Sequence, residues 1–129
     1  MEADQEGGPE PAKTDVLKLL GEALAHARGT HTMDDLCAAL VDGKLKLWVG
    51  DGCVGVTEFL EFPQRRVMNV FLAAGDLAAL TGCKPGMEAF ARGGGANAVM
   101  FYGRVTGRTG WARIWPDYEP AWVCMWKDL

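Results

Sequence analysis

A chain of 129 residues that is 49% hydrophobic and 23% charged can bury one core and is too short for two domains of ordinary size. No apolar run approaches the ~20 residues of a membrane-spanning helix, and Glu2, Asp4, Glu6 and Glu10 stand where an export signal would carry positive charge. The expectation is an intracellular protein without a membrane partner, and its formal net charge of −4 matters less than how that charge is distributed.

Five acids within residues 1–15 stand against Lys13 alone, which leaves 12 acids and 12 bases from Val16 onward. Residues 1–13 carry Gly-Gly-Pro and few apolar side chains, too little burial to offset the entropy of ordering, so they read as an acidic mobile tail ahead of a single domain over 14–129. The balanced charge of that domain sets up no field to draw a phosphate backbone, and no nucleic-acid partner is expected.

In "TDVLKLLGEALAHARG", Leu17, Leu20, Leu24 and Ala27 recur at helical spacing up to Gly29, which predicts a first helix. In "THTMDDLCAALVDG", Thr32 and Asp35 have capping-box spacing, and Met33, Leu36, Cys37 and Leu40 form the stripe of a second helix closing at Gly43. From Lys44 the period becomes two. "KLKLWVG" and "CVGVTEFLEF" flank Asp51-Gly52, and "PQRR" turns the chain into "VMNVFLAAG", a three-strand antiparallel meander. A helical segment interrupted near Gly82–Pro85 follows, then "RGGGAN" as a helix C-cap and turn, then "NAVMFYG" as a strand. Trp111, Ile114 and Trp115 keep helical spacing until Pro116, and "AWVCMWK" alternates Trp122, Cys124 and Trp126 as a closing strand. Strand, helix, strand implies a parallel pair, here residues 67–73 with 97–103, joined by a right-handed crossover.

Cys37, Cys53, Cys83 and Cys124 contain no CxxC, and His26 and His31 lie five apart across Gly29, so the cysteines read as free thiols and no metal site is expected. Glu58 and Glu61, on opposite faces of one strand, read as solvated positions rather than a general base. "GRVTGRTGW" follows a strand and opens a helix, and Arg92, Arg104, Arg108 and Arg113 fall between Glu88 and Asp117 with no acid among them. Such a loop can hold an anion through guanidinium forks and the first N–H groups of the helix, or its arginines can cover apolar surface and pair with acids. Four of the five tryptophans lie in the last 19 residues, more than a small core readily hides, and tryptophan and arginine dominate protein interfaces. Trp111 and Ile114 are expected in the core, while Arg108, Arg113, Trp115, Trp122 and Trp126 are expected to bind a partner.

This element order resembles the GCN5-related N-acetyltransferase (GNAT) fold without its usual first strand: an α+β mixed sheet, an antiparallel meander plus one parallel crossover pair, flanked by helices. "LWVGDGCVGVTEFLEFPQRRVMNVFLAAGDL" followed by "GRTGWARIWPDY" is similar to small GNAT-like proteins of tailed bacteriophages. Active members of that fold hold acetyl-CoA phosphates with Arg/Gln-x-x-Gly-x-Gly/Ala before the crossover helix. Here "AAGDLAALTG" keeps only Gly75, lacks the leading basic residue and places Asp76 beside the expected phosphates. Trp111 and Trp115 occupy the places of the family's tyrosine acid, and Tyr118 lies beyond Pro116. The resemblance thus implies a virion-associated structural or assembly protein without catalysis or cofactor, made in the host cytoplasm and bound to other phage structural proteins in a multi-subunit assembly. The alternative is an acetyl-CoA-dependent N-acetyltransferase whose coenzyme lies on Gly103, Arg104, Gly107, Arg108 and Gly110.

Overall fold

The structure, a computed structural model, describes residues 14–102, 115–122 and 124–129. The expected acidic tail, the whole "GRVTGRTGW" segment and the helix expected at residues 111–115, apart from Trp115 itself, lie outside the described residues.

Asp15 accepts from the Lys18 N–H at 3.1 Å and caps α1, Val16–Leu24. Turns then carry the chain to Arg28 and Gly29, with φ of 56° and 74°, so the α-helix stops short of the glycine that was expected to close it. The Thr32–Asp35 box forms as the spacing predicts and starts α2, Met33–Val41. Strands β1, Leu45–Gly50, and β2, Cys53–Glu61, are joined across Asp51-Gly52. The Thr14 hydroxyl ties that turn, donating to the Gly50 carbonyl at 2.8 Å and accepting from the Gly52 N–H at 2.9 Å. Phe62 and Arg65 exchange backbone hydrogen bonds around Pro63-Gln64 and lead into β3, Arg66–Gly75.

The interruption expected near Pro85 is a change of helix type. A 3-10 helix, Leu77–Cys83, passes into α3, Lys84–Gly93, with the proline in its first turn, where a missing N–H costs nothing. "RGGGAN" is a helix end: Gly95 has φ 87°, Ala96 N–H donates to Ala91 at 2.9 Å, and a Cβ on Gly94 would stand 2.5 Å from the Phe59 ring. β4, Ala98–Phe101, then pairs in parallel with β3 from Val67↔Ala98 to Val70↔Phe101. Among the described residues the fold is α+β, an open mixed sheet in the order β1-β2-β3-β4 with three α-helices.

Each sheet face carries its own core. On one, Leu20, Ala23 and Leu36 of the first two helices pack on Leu45, Val54 and Leu72. On the other, Leu80, Met87 and Ala91 pack with Cys53, Met68 and Trp115. The register slips once, because Val56 faces Leu72 while Thr57 faces Val70. Phe71 is therefore an extra residue on β3, a bulge whose ring meets that of His31 at 4.6 Å.

The expected closing strand does not form: among the described residues, 121, 122 and 124–127 take no strand conformation, and Trp122, Cys124 and Trp126 are all exposed. Their alternation pairs with no sheet edge. Instead Trp126 lies under the Arg28 guanidinium, 4.8 Å from the ring centre, and its indole N–H donates to Asp128 at 2.7 Å.

Candidate functional site

Beside the β4 edge opens a broad cleft of about 1650 Å³, bounded by the end of α1, the β2–β3 turn, β4 and the C-terminal segment. Four large aromatic side chains line it while remaining exposed: Phe62 46%, Tyr102 56%, Trp122 68% and Trp126 49%. Phe62 comes from a tight turn, Tyr102 from the residue after β4, and the tryptophans from the segment that Arg28 and Asp128 hold.

One wall is built on Trp115, which is 1% exposed. Pro116 and Asp117 make a turn closed by the Tyr118 N–H donating to the Trp115 carbonyl at 3.0 Å. The turn stacks the two rings at 5.0 Å and sets both on Phe101, at 5.5 and 5.6 Å. Lys84 reaches Asp117 at 2.6 Å, a hydrogen bond that holds that carboxyl below the usual carboxylate range. The Tyr118 hydroxyl donates to Glu88 at 2.8 Å. Burial first, then the hydrogen bond and charge of Glu88, push the Tyr118 phenol well above its ordinary range. This phenol holds its proton tightly and is poorly suited to give it up. Among the described lining residues, Arg28, Arg65 and Arg92 balance Glu88, Asp117 and Glu119 in formal charge beside the apolar aromatic wall.

Compared with known proteins, the chain matches no family model, no curated protein and no solved structure.

The sequence expectations fall into three groups. Trp122 and Trp126, expected to bind a partner, are exposed on the cleft. Trp115, expected to bind a partner, is a correction: it belongs to the core, because the turn at Pro116 packs it against Phe101 and Tyr118. Gly103, Arg104, Gly107, Arg108, Gly110, Trp111 and Arg113 lie outside the described residues. Phe62 and Tyr102 were missed, since isolated aromatics at strand ends carry no pattern. Glu58 accepts from the Asn69 amide at 2.8 Å and Glu61 pairs with Arg66, whose guanidinium also covers the Phe59 ring.

The place where the resemblance would put coenzyme phosphates has its own occupant. Asp76 caps the 3-10 helix, accepting from the Ala78 N–H at 3.0 Å, so the helix N-terminus is neutralised by the chain's own carboxylate. Gly75 is required for a different reason. Its φ is 94°, and a Cβ there would overlap the Gly52 carbonyl oxygen and lie 2.9 Å from the Cys53 Cα. The glycine lets β3 pass close to the β1–β2 turn.

Proposed function

We propose that the chain is a protein-binding component of a multi-subunit particle, a structural or assembly protein of a tailed bacteriophage built on a GNAT-like arrangement, without catalysis of its own. The observation that carries this reading is the convergence of Phe62, Tyr102, Trp122 and Trp126 on one cleft while all four remain exposed. Isolated exposed apolar residues are ordinary, but several large aromatics bordering one concavity mark a surface that is covered in use. Aromatic anchors supply most of the energy of protein interfaces, and a cleft of balanced charge suits a protein partner better than a polyanion. The occupant is another structural protein of the particle.

The GNAT-like element order and the phage-like wording of residues 32–118 supply the particle; the meander followed by the β3–β4 parallel pair agrees with that order. The self-capped helix at Asp76 supports the non-catalytic half of the reading.

The test pairs two measurements. Trp122→Ala with Trp126→Ala should lower the melting temperature by no more than about 5 °C, because exposed side chains contribute little to the fold, while incorporation into particles made in infected cells falls at least about tenfold. Unchanged incorporation would refute the docking surface. Millimolar acetyl-CoA should leave melting unchanged. A coenzyme that bound the folded state at a hundred times its Kd would add about 2.7 kcal/mol, and a shift of that size would favour the acetyltransferase instead.

A further inference from the structure

On the sheet face opposite α1 and α2, two cysteines that are 30 positions apart in sequence come together at one point. A Cβ added to Gly50 would stand 2.5 Å from the Cys53 sulfur and 3.5 Å from the Cys83 sulfur, so the two sulfurs are no more than about 6 Å apart. Gly50 is what makes this possible, since any side chain there would fill the space that both sulfurs share. Cys53 opens β2 beside the Asp51-Gly52 turn and is fully buried. Cys83 ends the 3-10 helix, N-caps α3 without a side-chain hydrogen bond, and is partly accessible. Cys37 and Cys124 are exposed.

From this geometry we infer that Cys53 and Cys83 are a thiol–disulfide pair, closed by exchange with a small-molecule disulfide, that staples the start of β2 to the junction of the two crossover helices. A disulfide needs the sulfurs at ~2.05 Å with Cβ atoms about 3.5–4.5 Å apart. Closing the remaining distance calls for rotation about the Cα–Cβ bonds of both cysteines, with any backbone adjustment falling at the 3-10 to α junction that Cys83 occupies. The steps balance. The accessible Cys83 thiolate attacks the small disulfide, forming a mixed disulfide and expelling one thiolate, which takes up a proton. Cys53 then loses its proton, attacks the Cys83 sulfur, and expels the second small thiolate. The protein loses two electrons and two protons, and the small disulfide is reduced to two thiols.

Burial, reinforced by the neighbouring Cys83, raises the Cys53 thiol above its ordinary range, so the second step is the slow one and Cys53 is reached only through Cys83. This inference is independent of the proposed function, since neither Cys53 nor Cys83 lines the aromatic cleft.

The experiment uses the full chain with Cys37→Ser and Cys124→Ser, leaving the two cysteines of interest, equilibrated with reduced and oxidised glutathione. Loss of two hydrogens in mass and a linked Cys53–Cys83 peptide are expected. The folded chain should close at a ratio [GSH]²/[GSSG] at least about tenfold higher than the same chain in urea requires. In the Cys83→Ser variant, which should melt as the parent does, Cys53 should remain a thiol over the same interval. Two free thiols at every ratio, a persistent glutathione adduct on Cys83, or closure no easier than in urea would each overturn the inference. So would glutathionylation of Cys53 in Cys83→Ser at the parent rate.

Discussion

Trp115 is the residue whose replacement tests the packing most directly. It is 1% exposed, fills the core between Met68, Ala91 and Ala96, and meets Phe101 edge-on at 5.5 Å and Tyr118 at 5.0 Å. Burying an indole removes roughly 150–250 Å² from water, and each aromatic pair adds ~0.5–1.5 kcal/mol, so Trp115→Ala should cost about 3–5 kcal/mol. That is a large share of the ~5–15 kcal/mol that holds an ordinary domain together. In urea, with a slope of about 1.5 kcal/mol per molar, the midpoint should fall by about 2–3 M while the slope stays unchanged. Trp126→Ala is the control. Its indole is half exposed and held by the Arg28 stack and the Asp128 hydrogen bond, which limits its cost to about 1 kcal/mol. Denaturation followed by far-UV circular dichroism keeps the readout independent of tryptophan fluorescence. A midpoint shift for Trp115→Ala no larger than that for Trp126→Ala would refute the assignment of Trp115 to the core.

Tyr118 makes an alkaline prediction. Its phenol is raised above the ordinary value of 10.0, so the folded chain binds that proton more tightly than the unfolded chain does. The stability it contributes is fully present below about pH 10 and is lost as the pH rises beyond it. In a Tyr102→Phe variant the ultraviolet tyrosinate signal comes from Tyr118 alone, and it should appear only above the normal tyrosine range or together with unfolding; a folded protein titrating near pH 10 would contradict the Glu88 contact. Gly75→Ala should destabilise by more than about 1–3 kcal/mol, since both φ and the Gly52 carbonyl forbid a side chain. Gly21→Ala, in the middle of α1 with nothing within 4 Å, should stabilise by up to about 1 kcal/mol. Melting temperatures that do not separate in this direction would count against the β3–turn approach.

The local chemistry of this chain is legible wherever it acts over a few residues. The Thr32–Asp35 box, the Asp51-Gly52 hairpin, the Pro63-Gln64 turn and the triple-glycine helix end all form where their residues imply. The β3–β4 parallel pairing was also readable, because a short crossover leaves few alternatives. The last part of the chain was misread for a physical reason. Alternation in residues 121–127 describes which side chains share a side, but a strand needs a partner edge, and here Arg28 and Asp128 hold Trp126 elsewhere. Trp115 was expected at an interface from the crowding of tryptophans near the end of the chain, whereas the turn at Pro116 seats it in the core. Pairs such as Tyr118 with Glu88 and Cys53 with Cys83 are separated by 30 positions. Only the crossover brings them together, and no spacing rule announces them.

The β3–β4 ladder also sets the order in which the molecule can complete its aromatic cleft. The first three strands meet through short turns, but β4 is four residues long and must wait for the 3-10 helix and α3 to close the loop between Val67 and Ala98. Distant pairings form late because the entropy of loop closure precedes any gain from contact. The amides of β4 should therefore be the first of the sheet to exchange with solvent in partial openings, ahead of those in β2. Tyr102 directly follows β4, and Trp115 packs on Phe101, so the aromatic cleft is completed only when this last strand docks. A nascent or partly folded chain does not yet present that surface, and a partner that engages it selects finished molecules.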